Sequence, residues 1–487
     1  MTDSIRNLEP RVVWEHFDEI LKIPRASGKE EKIRKWLAGW AKDKNFSHVV
    51  DAAGNLVIYI PATVGYENSL IIVLQGHMDM VCEKNEDTKF DFDKDAIKVF
   101  AEGEWLKTRG TSMGADNGIG IAAALATAVD QDAVHGPLEL LFTVDEETGL
   151  TGAFNLDASL IRGRILLNLD SEDEGTFYVG CAGGGDGVIH FPLTRGKPAG
   201  GGKGLKVKLT GMKGGHSGLN INENRANAVK AAARMLRHAR ENGIKFNLIA
   251  IDGGDEHNAI PRECTFEVAV NNNQLDEFRT LLETWRSEIF FSEFKKTDPG
   301  MKVQFTPLKR LPAKVLTNGC RDKLIALLMG LPHGVIAMSR DIAGLVETSS
   351  NLASVACRKK DAVIVTSSRS SVASALDHVR DGIAEIAKIA GAIIDQKQGY
   401  PGWQPNMDSK VLAKSKEVYL HTFGKEPQVA AIHAGLECGI LGEKCAGMDM
   451  ISFGPTLSSV HSPDEKMHIG SVKNFYNFLK IFLKALA

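Results

Sequence analysis

Residues 70–80 read Leu-Ile-Ile-Val-Leu-Gln-Gly-His-Met-Asp-Met. A short apolar run rich in β-branched residues passes directly into glycine, then into His77 and Asp79. Two other segments share this form. Leu138-Glu-Leu-Leu-Phe-Thr-Val144 runs into Asp145-Glu146-Glu147, and Arg164-Ile-Leu-Leu-Asn-Leu169 ends at Asp170. Near-continuous apolar strands belong to sheets buried on both faces. In open α/β sheets, ligands bind beyond the carboxyl ends of the strands, where these side chains fall. Gly114-Ala-Asp116-Asn-Gly118 precedes an Ala-rich helix, and His461 follows a late strand through Phe453. Five segments therefore deliver His77, Asp79, Asp116, Glu146, Glu147, Asp170 and His461.

Working outward, helical spacing predicts two helices in the first fifty residues, through Val13 and Phe17 and through Ile33 and Leu37. Leu56–Ile60 is a further strand. Gly183-Gly-Gly185 reads as a flexible joint, after which the texture becomes α+β. Leu205–Leu209 alternates like a half-exposed strand, and 227–240 reads as a helix. A strand at 264–270 precedes a helix over 274–291, and a strand at 362–365 precedes a helix over 370–392. That recurring order predicts a weak internal duplication. A second joint falls at Gly399-Tyr-Pro-Gly-Trp403, beyond which the α/β texture returns and ends in a helix from Val472. The expected fold is α/β with a mixed sheet, split into residues 1–186 and 400–487, with an α+β insertion over 187–399.

Taken singly, each strand-end residue has an ordinary reading. Asp116 before Asn-Gly could cap a helix, and Glu146-Glu147 could be surface. Together they are hard to place without a cation, because clustered carboxylates repel one another and raise their own pKa values. Imidazole with carboxylate is a usual donor set for catalytic zinc and its neighbours in the metal series.

The segments GHMDMV, GADNGIG, TVDEETGLTGA, LNLDSEDEG and VHSPDE, in this order, resemble the signature segments of the M20 family of metallopeptidases. GGHSGLNINENRANAV and DEHNAIPREC resemble its branch of dipeptidases that cleave Xaa-His substrates. The resemblance implies a dinuclear catalytic domain with an inserted lid. It implies two divalent ions, zinc first, with cobalt or manganese as other occupants. Asp116 would bridge them, His77 and Asp170 completing one site and Glu147 and His461 the other. Glu146 would be the general base toward a metal-bridging water, and Asp79 would orient His77. The Asp116–Asn117 bond would be cis. In the lid, His216 would stabilise the oxyanion, while Asn258 and Arg369 would hold the substrate carboxylate. Gly435 would lie on the catalytic domain near the substrate's C-terminus, and His433 beside it would be structural. Asp116-Asn-Gly-Ile-Gly120 departs from the Asp-Lys-Gly form of many members, which weakens carry-over from the deacylase branches.

Composition removes other classes. The 487 residues carry 58 Lys plus Arg against 61 Asp plus Glu, a net charge of −3. A nearly neutral chain has no global electrostatic reason to bind nucleic acid or an anionic membrane. No stretch approaches the roughly 20 apolar residues of a membrane span, and the N-terminus lacks the features of a signal peptide. The seven Cys are scattered with no CxxC pair, which suits a reducing cytoplasm. The expected protein is a cytoplasmic dipeptidase acting on small dipeptides, a homodimer by resemblance. The alternatives are another M20-type amidohydrolase, such as an N-acyl amino-acid deacylase or a tripeptidase, and a non-catalytic peptide-binding relative.

Overall fold

The computed structural model describes residues 5–198 and 202–487, and the chain divides into two compact units. The first comprises residues up to 181 with 403–431 and 436–487; the second comprises 182–402 with 432–435.

The first unit is built on an eight-stranded mixed sheet. In spatial order its strands are Ser47–Val50, Leu56–Ile60, Leu138–Thr143, Ile72–His77, Ile165–Asn168, Asp449–Ser452, Thr176–Cys181 and Gln428–Ile432. The four central strands run parallel. Every residue of Ile72–His77 and Leu138–Thr143 is buried, as expected of the near-continuous apolar strands of a sheet covered on both faces. The Ala-rich helix Ala115–Val129 is buried along nearly its whole length. Because the central strands are parallel and in register, with His77 opposite Thr143 and Gln75 opposite Asn168, their carboxyl ends lie side by side. The aromatic cluster of Phe177, Tyr419, Phe453 and Phe478 packs the terminal helix Ile469–Leu486.

The second unit carries a nine-stranded sheet whose main path contains two four-strand groups. In one, the chain order Gly202–Thr210, helix Ala228–Glu241, Phe246–Gly253, Cys264–Asn271, helix Leu275–Thr284, Lys302–Pro307 places the last strand beside the first. In the other, Gly183–Pro192, helix Asn318–Gly330, Val346–Cys357, Asp361–Ser370, helix Ala373–Ala390, Ile393–Gln396 does the same. The first group is nested inside the second along the chain. The groups meet through a short pairing, Asp252 with Ala356 and Gly253 with Val355. The element order therefore repeats, with one copy inserted in a loop of the other.

The division between the units falls at 181/182, and Gly183–Gly185 directly after it opens a ten-residue strand paired with Asp361–Ser370. A β-carbon on Gly184 would lie 2.6 Å from the Tyr400 hydroxyl, so glycine serves close approach here rather than flexibility. The helix predicted from Ser370 begins at Ala373, because strand pairing continues through Ser370 and leaves Arg369 in a strand. The helix predicted over 274–291 is interrupted by a π turn at Trp285–Phe290.

All seven cysteines are free, and among the described residues no helix is long and apolar enough to cross a membrane. Leu167 lies on a central strand with no exposed surface. Leu167→Ala should lower stability by about 2–5 kcal/mol, read as a fall in the urea midpoint.

Candidate active site

The parallel register brings the strand-end side chains of the first unit together. His77 ends its strand, and Asp170 follows Ile165–Asn168 by two residues. The His77 Nε2 lies 2.9 Å from Asp116 Oδ1 and 3.3 Å from Asp170 Oδ1. On the other side, His461 Nε2 lies 3.1 Å from Asp116 Oδ2 and 3.0 Å from Glu147 Oε2. Asp116 thus offers one oxygen to each imidazole. His77, Asp116 and Asp170 place donor atoms within 4.8 Å of one another, as do Asp116, Glu147 and His461. The Asp116–Asn117 peptide bond is cis. His461 and Asp145 adopt left-handed φ values of 59° and 52°, a conformation costly for non-glycine residues and concentrated at functional sites.

This donor set fits two divalent cations. Glu147 Oε1 and Asp170 Oδ1 are buried and find no hydrogen-bond partner among the described residues, although oxygens in that position normally have one. Burial pushes the Asp170 carboxyl well above its usual range, and the charge of Asp116 adds to this against the pull of His77. Burial likewise raises Glu146 strongly, with Asp170, Glu437 and Glu147 adding to the effect. Hydrogen bonds donated to the Asp116 and Glu147 carboxylates take the His461 imidazole up to about 11. So much carboxylate in one buried place is relieved by cations, and neutral imidazole with carboxylate suits zinc.

Asp79 has no exposed surface and serves both the imidazole and the glutamates. Its Oδ1 lies 3.3 Å from His77 Nδ1 and accepts from the Glu146 backbone N–H at 3.0 Å. Its Oδ2 accepts from the Glu147 N–H at 3.2 Å and from the Ser27 hydroxyl at 2.8 Å. Although burial alone would raise it, the His77 hydrogen bond and charge hold this carboxylate well below its usual range.

Three residues that sequence reasoning missed support these groups. Glu465 accepts from the N–H groups of Met113, Gly114 and Ala115 at 2.6, 3.0 and 2.8 Å. It ties the loop of His461 to the segment that carries Asp116. Arg25 is buried and donates to the carbonyls of Met78, Asp79 and Gly114. Glu437 accepts from Thr143 Oγ1 at 2.7 Å and Gln75 Nε2 at 2.5 Å. Gln75 in turn accepts from Asn168, and Asn168 from Ser452. This buried polar row lies one strand repeat below the ligands. Only Glu465 had a local signal, the end of VHSPDE.

The remaining candidates lie in the second unit. His216 and Asn258 line a cavity of about 490 Å³. The His216 Nδ1 accepts from the Gly218 and Leu219 N–H groups at 3.2 and 3.1 Å, which leaves Nε2 as the protonated donor. Burial, then the charges of Arg369 and His257, lower this imidazole to about 4, so it is neutral at pH 7. Arg369 is buried and donates through Nη1 to the Tyr400 hydroxyl at 2.7 Å. Gly435 clusters with this second unit, beside Tyr400, and not with the first unit as expected. The reason is that its segment makes specific contacts there: His433 Nε2 lies 2.7 Å from Ser349 Oγ.

Comparisons with known proteins place the whole chain among peptidases. The model of peptidase family M20/M25/M40 matches residues 73–486. The cytosol non-specific dipeptidase of Escherichia coli is 41% identical over 484 residues, which is 99% of both chains. The crystal structure of an aminoacylhistidine dipeptidase from Vibrio alginolyticus matches with a TM-score of 0.92 at 40% identity, covering 99% of this chain and 98% of that one. An aminopeptidase from Bacillus cereus shares the fold at a TM-score of 0.56 and 15% identity, covering 98% and 99%.

Glu465→Ala should weaken zinc binding by the metal-stripped protein about 10–100-fold without unfolding it. Calorimetric titration with zinc, alongside circular dichroism, checks both statements.

Proposed function

The chain belongs to peptidase family M20/M25/M40, and from that premise we propose that it is a cytoplasmic, homodimeric dizinc dipeptidase hydrolysing Xaa-His and similar small dipeptides. The observation that carries the reading is the Asp116 carboxylate divided between two imidazole–carboxylate groups. The names of the Escherichia coli and Vibrio relatives, both dipeptidases, support the substrate class.

In this reading His77, Asp116 and Asp170 hold one zinc ion, and Asp116, Glu147 and His461 hold the other. Two such ions, when bound, polarise the scissile carbonyl and lower the pKa of water. Glu146 takes the proton from the attacking water as its oxygen bonds to the carbonyl carbon. It then gives that proton to the leaving nitrogen as the C–N bond breaks. Asp79 fixes the His77 tautomer and the backbone of both glutamates, so that Glu147 binds metal while Glu146 remains a base. His216, neutral and protonated on Nε2, donates to the oxyanion. Arg369 and Asn258 hold the C-terminal carboxylate, Arg369 through its planar fork, and Gly435 lies near that end of the substrate.

Metal-stripped protein should not hydrolyse β-alanyl-histidine until zinc is restored at two ions per chain. If zinc binds in that ratio and the dipeptide survives, the substrate assignment fails. Glu146→Ala should keep both ions and lose about 10²–10⁴-fold in kcat, and near-normal turnover in that variant would remove Glu146 as the base.

A further inference from the structure

We propose that Tyr400 is a specificity-determining positioning residue: its hydroxyl occupies Nη1 of Arg369 and so presents the Nε/Nη2 edge of the guanidinium to a free C-terminal carboxylate. The inference rests on Arg369 being the carboxylate anchor.

Arg369 has 7% of its surface exposed, and among the described residues no Asp or Glu pairs with it. Its Nη1 donates to the Tyr400 hydroxyl at 2.7 Å. Its Nε is buried with no acceptor, and no described residue accepts from Nη2. A buried guanidinium without a counter-ion is costly. Its two open donor positions form one parallel fork, the geometry that matches both oxygens of a carboxylate. Neighbouring histidines do not compete for that anion. Burial, with the charge of Arg369 adding to it, lowers both His216 and His433 to about 4, so neither is a cation at neutral pH.

The hydroxyl can play this part only if the ring is held, and two glycines hold it. The Tyr400 and Gly184 backbones exchange N–H to carbonyl bonds at 2.9 and 3.0 Å. A β-carbon on Gly184 would meet the Tyr400 hydroxyl at 2.6 Å, and one on Gly435 would meet its ring at 2.9 Å. The Gly435 segment is itself fixed by His433 on Ser349. The Gly-Gly-Gly at 183–185 and the Gly-Tyr-Pro-Gly at 399–402 are thus parts of one device. It favours substrates that end in a free carboxylate over their amides.

The test compares β-alanyl-histidine with β-alanyl-histidinamide on the zinc-loaded enzyme and its variants. Tyr400→Phe keeps the ring and loses the hydroxyl. It should raise KM for the acid about 10-fold, the loss of one hydrogen bond to a charged group, with kcat little changed and KM for the amide unaltered. Gly184→Ala, which crowds the hydroxyl, is the second variant and should show the same split. Arg369→Ala should abolish discrimination between acid and amide altogether. If Arg369→Ala does so while both other variants discriminate normally, the anchor stands and the role of Tyr400 is overturned. Equal loss on both substrates in Tyr400→Phe also overturns it, as a merely structural effect. If Arg369→Ala still discriminates, the anchor reading fails, and this inference fails with it.

Discussion

The carboxylate of Asp116 gives one oxygen to His77 and the other to His461, side chains from opposite ends of the chain. This places several acids in one buried volume, an arrangement that burial and mutual repulsion both oppose. Much of the first unit is explained by what it takes to hold such a cluster. Glu465 fixes the backbone before Asp116 through three N–H bonds, and Arg25 takes the carbonyls of Met78, Asp79 and Gly114. Asp79 fixes both an imidazole and the two glutamates.

The parallel sheet makes this economical. Side chains two residues apart on a strand share a face, so residues before the ligands form a layer under them. Gln75, Asn168 and Ser452 fill that layer with hydrogen bonds that run from strand to strand and end on Glu437. A buried polar row is tolerable only when its members are paired, and here pairing across adjacent strands also fixes their register below the site.

The second unit solves a different problem with a repeated topology. Gly183–Pro192 and Asp361–Ser370 belong to the outer group and pair although the inserted group separates them along the chain, and that pairing sets Arg369 in a buried position. The Tyr400 hydroxyl that meets it comes from the segment where the chain passes between the units at 402/403, and an isolated backbone bridge to Gly184 holds that segment in place.

Much of this protein was legible from its sequence. The strands were legible because burial on both faces leaves a near-continuous apolar run, and His77, Glu147 and Asp170 because each follows such a run within three residues, while Asp116 precedes the Ala-rich helix. His461 was legible through its motif. The supports were not. Glu437, Arg25 and Tyr400 act on groups far away in the chain, so no local spacing marks them. Gly183–Gly185 does stand at the division between the units, but its close approach to Tyr400 was not legible, because absence of a side chain reads the same whether it frees a turn or admits a neighbouring ring. The sequence by itself determined which side chains could bind and react, since that depends on residue type and on position along a strand. Only the tertiary structure decided which carboxylate is shared, which donors of Arg369 stay open and which tautomer His216 adopts, because each is set by atoms that meet through folding alone.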